Sequence, residues 1–247
     1  QGVAADSCLP KTAWPPTLHS LVLRVAGIGE SHLEGKVAHL LAGENPTAAL
    51  YAKTGEVFIR ITAKAQDAAA AEAMCRAFAG EFYAVLGDAI YGEDSETLAA
   101  AAVHALQKTG ATAATAESCT GGLVSAALTD VPGASEVFGF GACTYSNEQK
   151  MRVLGVSGET LRQYGAVSAE TAAEMAQGVR RAAGADFGIG ITGIAGPGGG
   201  TKEKPVGLVF LAAACENKVY VQKLLMENRT RGTVRQFSAK YALEMLR

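Results

Sequence analysis

Three short stretches carry residue types able to do covalent or anion chemistry. Thr115-Ala116-Glu117-Ser118-Cys119-Thr120-Gly121-Gly122 places a carboxylate, a serine and a cysteine where a strand pattern gives way to a helical one. At such a junction the first helical N–H groups lack internal partners. With the helix dipole behind them they can hold a carboxylate, a phosphate or a developing oxyanion. Gly121 and Gly122 let a ligand approach the backbone closely. Ser118 or Thr120 reads equally well as a plain helix cap.

The second stretch, Thr144-Tyr145-Ser146-Asn147-Glu148-Gln149-Lys150, lies at the end of another predicted strand and brings a phenol, an amide and an amine together. A lone lysine is ordinarily a surface group. One withdrawn from water loses its proton and becomes a base, because desolvation penalises the ammonium form. Serine with such a lysine performs acyl transfer without histidine. All four histidines (His19, His32, His39, His104) precede the second half, so a Ser–His pair there requires His104 to fold back. The third stretch, Ile191-Thr192-Gly193-Ile194-Ala195-Gly196-Pro197-Gly198-Gly199-Gly200, runs a strand into a glycine loop whose bare backbone offers N–H donors to an anion. It lacks the Lys-Ser/Thr of a P-loop and the following helix of a dinucleotide fingerprint, and reads alternatively as a surface loop.

The elements that must position these groups follow from periodicity. Pro10, Pro15 and Pro16 break any regular element over residues 1–17. Leu21–Val25 reads as a strand, Glu30–Leu41 as a helix, and Ala48–Ala52 and Val57–Thr62 as strands turning at Lys53-Thr54-Gly55. Asp67–Leu86 reads as a long helix capped by Asp67 and stopped by Gly87. A β-α-β-β-α unit results, closed by a polar junction at Gly92-Glu93-Asp94-Ser95. Beyond a further helix the pattern alternates: strand Thr112–Ala116, helix Gly121–Leu128, strand Val137–Tyr145, helices Glu159–Tyr164 and Ala169–Ala183, and strand Phe187–Thr192. Val206–Ala214 and Lys218–Leu225 read as a hairpin at Glu216-Asn217, and Thr230–Leu246 as a closing helix. The expected fold is a small α+β domain over residues 18–92 and a larger α/β sandwich with a mixed sheet over residues 93–247.

Bulk properties narrow the function. With 22 basic and 24 acidic residues and a net charge of -2, the chain lacks the basic surplus of a nucleic-acid binder. Five scattered cysteines without a C-x-x-C pair argue against a disulfide framework or a thiolate zinc site and for a reducing, cytoplasmic setting. No apolar run reaches the roughly 18 residues of a membrane span. The start has neither Met nor a basic-then-apolar leader, which reads as a processed product or a fragment.

Taken in order and spacing, Ala116–Gly122, Pro132-Gly133-Ala134-Ser135, Thr144-Tyr145-Ser146-Asn147 with Lys150, Gly165-Ala166-Val167-Ser168, Thr192–Pro197 and Pro205-Val206-Gly207 resemble the C-terminal domain of the CinA (competence/damage-inducible) family. In stand-alone form that domain is a nicotinamide-nucleotide amidase, PncC-like. Residues 18–92 resemble, by layout, the family's small KH-type middle domain. The N-terminal domain that full-length members carry is not recognisable here, so its pyrophosphatase activity is not carried over.

The resemblance implies a small-molecule nucleotide substrate, nicotinamide mononucleotide, deamidated to nicotinic acid mononucleotide. It places the nucleophile at Ser118 and its base at Lys150, with Tyr145 relaying or orienting the proton. Glu117 and Asn147 are expected beside the substrate. The backbone of Thr120, Gly121 and Gly122 is expected to hold either the oxyanion or the phosphate. Thr192, Gly193 and Gly196 form the expected opposing wall, and Arg235 is a candidate phosphate anchor or a solvated helix residue. The resemblance implies no metal and no organic cofactor, a homodimer, and no membrane. Two alternatives stay open: a catalytically silent nucleotide-binding regulator, and an RNA-binding KH module. Against RNA, Gly27-Ile28-Gly29-Glu30 has the wrong spacing for a G-x-x-G clamp and an acidic neighbour.

Overall fold

The computed structural model describes residues 16–247. The irregular segment expected over residues 1–17 lies, as far as residue 15, outside the described residues, and Thr17 already belongs to the first strand. The chain folds as two compact units, one containing Val57–Asp94 and the strands before it, the other containing Ser95–Arg247.

In the first unit, β1 (Thr17–Ala26), α1 (Glu30–Leu41), β2 (Thr47–Lys53), β3 (Glu56–Ala65), α2 (Ala68–Leu86) and β4 (Ile90–Glu93) form a four-stranded sheet in the order β2-β3-β1-β4. Alternate residues of β1 and β3 (Leu21, Leu23, Val25; Ile59, Ile61) turn inward to meet Leu33 and Val37 of α1 and Phe82 of α2. Asp67 caps α2 by accepting the Ala70 N–H at 2.8 Å, and Gly87, at φ 51°, ends it. The sequence reading missed β4, whose register against β1 pairs Leu23 with Glu93. The first half of the stretch read as a polar junction, Gly92 and Glu93, therefore ends an edge strand. Gly27-Ile28-Gly29 links β1 to α1, not two helices.

The second unit begins with α3 (Leu98–Thr109), capped by Thr97, and continues through β5 (Ala113–Glu117), α4 (Leu123–Thr129), β6 (Phe138–Cys143), α5 (Asn147–Leu154), α6 (Gly158–Tyr164), α7 (Ala169–Ala183), β7 (Phe187–Gly193), β8 (Leu208–Ala214), β9 (Val219–Leu225) and α8 (Arg231–Glu244). The sheet is mixed, as expected, in the order β6-β5-β7-β8-β9. β5 runs parallel to both β6 and β7, and β8 and β9 are antiparallel. The chain leaves β5 toward β6 and then crosses back to β7 on the other side. In open α/β sheets such a switch point opens a crevice at the carboxyl ends of the strands. Here those ends are Glu117, Cys143 and Gly193.

Close packing sets the layers. Gly188 and Gly190 on β7 face the buried Ala172 and Ala176 of α7. A methyl on Gly190 would sit 2.4 Å from Ala172 O, and one on Gly178 of α7 would sit 2.0 Å from Leu154 O of α5. Missing side chains thus let α7 lie on the sheet and α5 on α7. Because the obstruction is backbone, Gly190→Ala is expected to cost about 3 kcal/mol, the upper range for overpacking. Urea denaturation checks this, and an unchanged midpoint would contradict so close an approach.

Candidate active site

Ser118 is the first residue past β5, with its N–H bonded to Ile191 O of β7 at 3.0 Å. Lys150 reaches it from α5, a helix the sequence reading missed by ending a strand there. Ser146 caps α5 through the Gln149 N–H, and Gly155 at φ 68° closes it. Lys150 and Leu154 are its buried positions, one turn apart, so the lysine occupies a place where an apolar residue would normally pack. It is 1% exposed. Its Nζ lies 3.1 Å from Ser118 Oγ, 2.8 Å from Thr144 O and 3.4 Å from Tyr145 O. Burial pushes the Lys150 amine below the ordinary lysine range, opposed by the neighbouring Cys119. A neutral amine has two N–H donors and one lone pair. The two carbonyls can take the donors, leaving the lone pair facing the serine hydroxyl.

Glu117, fully buried beside this pair, turns away from it. Its carboxylate accepts the N–H groups of Gly122 (2.9 Å), Val124 (3.2 Å) and Ser125 (2.8 Å) and the Ser125 hydroxyl (2.7 Å). It therefore caps α4, where a carboxylate meets the positive end of the helix dipole. Glu117, expected beside substrate, thus faces α4, and two of the amides expected to cradle an anion already have acceptors in the chain. The Gly122 amide serves Glu117, and the Gly121 amide donates to Ser118 O at 3.1 Å.

Other expected site residues are placed as follows. The Tyr145 side chain is 66% exposed, and its phenol oxygen accepts from Arg231 at 3.2 Å. Its backbone carbonyl, not its ring, touches Lys150. Thr192 donates its hydroxyl to Ala166 O at 2.6 Å. Gly193 and Gly196 are set by packing: added methyls would meet Val209 Cγ2 at 2.6 Å and Val206 Cγ1 at 2.5 Å. Asn147 is exposed at the first turn of α5. Arg235 of α8 donates to Cys119 O (3.0 Å) and Thr120 O (2.8 Å), so it grips the turn after Ser118 instead of facing solvent. The Cys119 thiol, 5% exposed, is pushed up to about 11 by burial, and Glu117 adds to that.

Sequence reasoning missed one group. Arg231, the first residue of α8, is exposed and bridges Gly196 O (2.9 Å) to the Tyr145 phenol. The signal for it was its position directly after the cap residue Thr230. Thr144 and Thr120 carry buried hydroxyls with no hydrogen-bond partner among the described residues. Among those residues no three His, Cys, Asp or Glu side chains converge as metal ligands, and no helix is long and apolar enough to cross a membrane.

Known proteins share this architecture. Residues 95–247 match the family described as CinA C-terminal domain, and residues 20–92 match the damage-inducible protein CinA KH domain. A CinA-like protein of Desulfovibrio desulfuricans is 49% identical over 230 residues, covering 92% of this chain and 54% of that protein. One of Kosmotoga olearia is 48% identical over 231 residues, covering 93% and 56%. The chain thus spans about half the length of these curated relatives. Among solved structures, a competence/damage inducible protein of Agrobacterium tumefaciens shares 45% identity at TM-score 0.59, covering 60% of this chain and 91% of that one. A CinA superfamily protein of Escherichia coli shares 36% at TM-score 0.58, covering 60% and 86%.

Glu117→Gln replaces an acceptor of four bonds by a group with one oxygen, and turns an NH2 toward amide donors. The variant is expected to lose about 2–3 kcal/mol of stability, since buried donors are left unpaired. Chemical denaturation measures it, and wild-type stability would show that the carboxylate does not hold α4.

Proposed function

The chain belongs to the CinA family, and on that premise we propose that its second unit hydrolyses the carboxamide of nicotinamide mononucleotide to nicotinic acid mononucleotide and ammonia. The observation that carries this reading is a buried amine, with no carboxylate partner among the described residues, 3.1 Å from a serine oxygen at the switch point of the sheet. In the first step Ser118 Oγ attacks the carboxamide carbon and its proton passes to Lys150 Nζ. The tetrahedral intermediate collapses as the C–N bond breaks, and Lys150 returns that proton to the departing ammonia. Water then attacks the acyl-serine, again giving its proton to Lys150. The C–O bond to serine breaks, Ser118 regains a proton, and the acid is released. The exposed Arg231 guanidinium at the rim suits the substrate phosphate, whose oxygens match its planar donors.

Ser118→Ala is expected to lose at least about three orders of magnitude in turnover, the scale for removing an acyl-transfer nucleophile. Cys119→Ala should stay within about tenfold, because a thiol held protonated is a poor nucleophile. Lys150→Arg keeps the charge but not the base, and should be nearly as inactive as Lys150→Ala. The reaction needs the neutral amine, so activity should rise with pH through the lowered Lys150 titration and reach its plateau below the ordinary lysine range. That limb should vanish in Lys150→Arg. Coupled ammonia release reads all four. Activity surviving in Ser118→Ala but not in Cys119→Ala would reverse the assignment, and an inert wild type would leave a nucleotide-binding regulator. Arg231→Ala should raise KM several-fold with kcat nearly held, whereas an unchanged KM would remove it from the phosphate site.

A further inference from the structure

We infer that Arg235 is a positioning residue that builds the oxyanion site of the Ser118 turn; this rests on the serine-hydrolase reading above. In a planar trans peptide the C=O and N–H of one unit point in opposite directions. Arg235 Nε holds Cys119 O, which fixes the Thr120 N–H on the opposite side of the same plane. The Ser118 carbonyl is held by the Gly121 N–H, which in the same way fixes the Cys119 N–H. The amides of Ser118, Gly121 and Gly122 already have acceptors: Ile191 O, Ser118 O and the Glu117 carboxylate. Among the described residues, those of Cys119 and Thr120 meet none beyond Cys119's own thiol. In strand-turn-helix hydrolases the amide directly after the nucleophile supplies an oxyanion donor. Here that amide is Cys119's, and Thr120's follows it.

Two further features suit Arg235 to this role. Its guanidinium takes two successive carbonyls, Cys119 O from Nε and Thr120 O from Nη2, with donors held in one rigid plane, whereas an ammonium would have to serve both from a single nitrogen. A charged donor on the Cys119 carbonyl also polarises that peptide, making the Thr120 N–H a stronger donor. The guanidinium lies close against the turn: a methyl on Gly121, at φ 61°, would sit 3.3 Å from Arg235 Nη2. Arg235 thus touches backbone where a phosphate anchor would touch ligand.

A fluorophosphonate probe tests this on the full chain without presuming the natural substrate. The Ser118 Oγ–P bond forms, the P–F bond breaks with loss of fluoride, and the hydroxyl proton goes to Lys150. The phosphonyl oxygen meanwhile occupies the oxyanion site. Labelling of Ser118, followed by mass spectrometry, is expected to be about ten- to a hundredfold slower in Arg235→Ala, within the cost of losing an oxyanion donor. Added guanidinium should restore part of that rate. Arg235→Lys, the variant to use if the alanine form does not fold, should also be slow, and the pH limb should stay where it is in the wild type. Wild-type rates in both variants overturn the inference, as does a shifted pH limb, which would place the effect on Lys150. A wild-type Ser118 that does not label overturns it too. With nicotinamide mononucleotide, Arg235→Lys should lower kcat and leave KM, whereas a raised KM alone would restore the phosphate-anchor role. A wild type that labels but releases no ammonia removes the substrate assignment and leaves this role standing.

Discussion

The site depends on keeping one amine dry and unpaired. A lysine 1% exposed cannot hold a full charge cheaply without a carboxylate, and among the described residues Lys150 has none; its partners there are Ser118 Oγ and two backbone carbonyls. A carboxylate partner would restore the ammonium and abolish the lone pair. Yet a buried acid, Glu117, immediately precedes the serine. The conflict is resolved by the start of α4: three amides and the Ser125 hydroxyl saturate the Glu117 carboxylate on the far side of the turn. The helix N-terminus that looked like an anion site for a ligand is thus occupied by an anion of the chain itself.

The sheet supports this by geometry. Parallel β5, β6 and β7 end together, so Thr144 N–H can bond Glu117 O at 2.9 Å and Ser118 N–H can bond Ile191 O. Two strand ends therefore fix the serine and the carbonyl that receives the lysine. The third piece, α5, is held by packing: Leu154 joins Met175 and Val179 of α7 in one cluster, and Gly178 allows the backbones of the two helices to meet. The loop 165–168 is tied down around the same crevice. Ala166 O accepts from Thr192 and Val167 O from Lys204. The sequence motifs that seemed to be ligand-binding loops are in large part fastenings between elements.

That distinction explains what was legible in advance. Strand-helix alternation and the late hairpin were readable because their inward residues are apolar and regularly spaced. α5 was not, because apart from Leu154 its inward face is the lysine itself, and a polar helix with one apolar contact shows no stripe. Its caps, Ser146 and Gly155, were the available signal. β4 was hidden because Gly92 and Glu93 read as a junction, and only its pairing with β1 makes it a strand. Within the site, residue types pointed to the Ser118–Lys150 pair, but partners did not follow from types. Glu117 and Arg235 both look like ligand-facing charges in a linear sequence, and both turn back onto the turn's own backbone. Sequence spacing does not say which way a charged side chain folds when the nearest unsatisfied groups belong to its own chain.

The same arrangement bears on why the serine and not its neighbour would react. A cysteine at a helix N-terminus ordinarily has a lowered pKa and would be the stronger nucleophile. Cys119 shows the opposite, a thiol pushed up to about 11, first by burial and then by the Glu117 charge. The dipole that would have stabilised a thiolate is already neutralised by Glu117. One buried acid therefore has two consequences. By facing α4 it leaves Lys150 Nζ to Ser118 Oγ and the two carbonyls, and its charge adds to the burial that holds the Cys119 thiol up. Exchanging its carboxylate for an amide would therefore disturb the helix start, the lysine's surroundings and the thiol together.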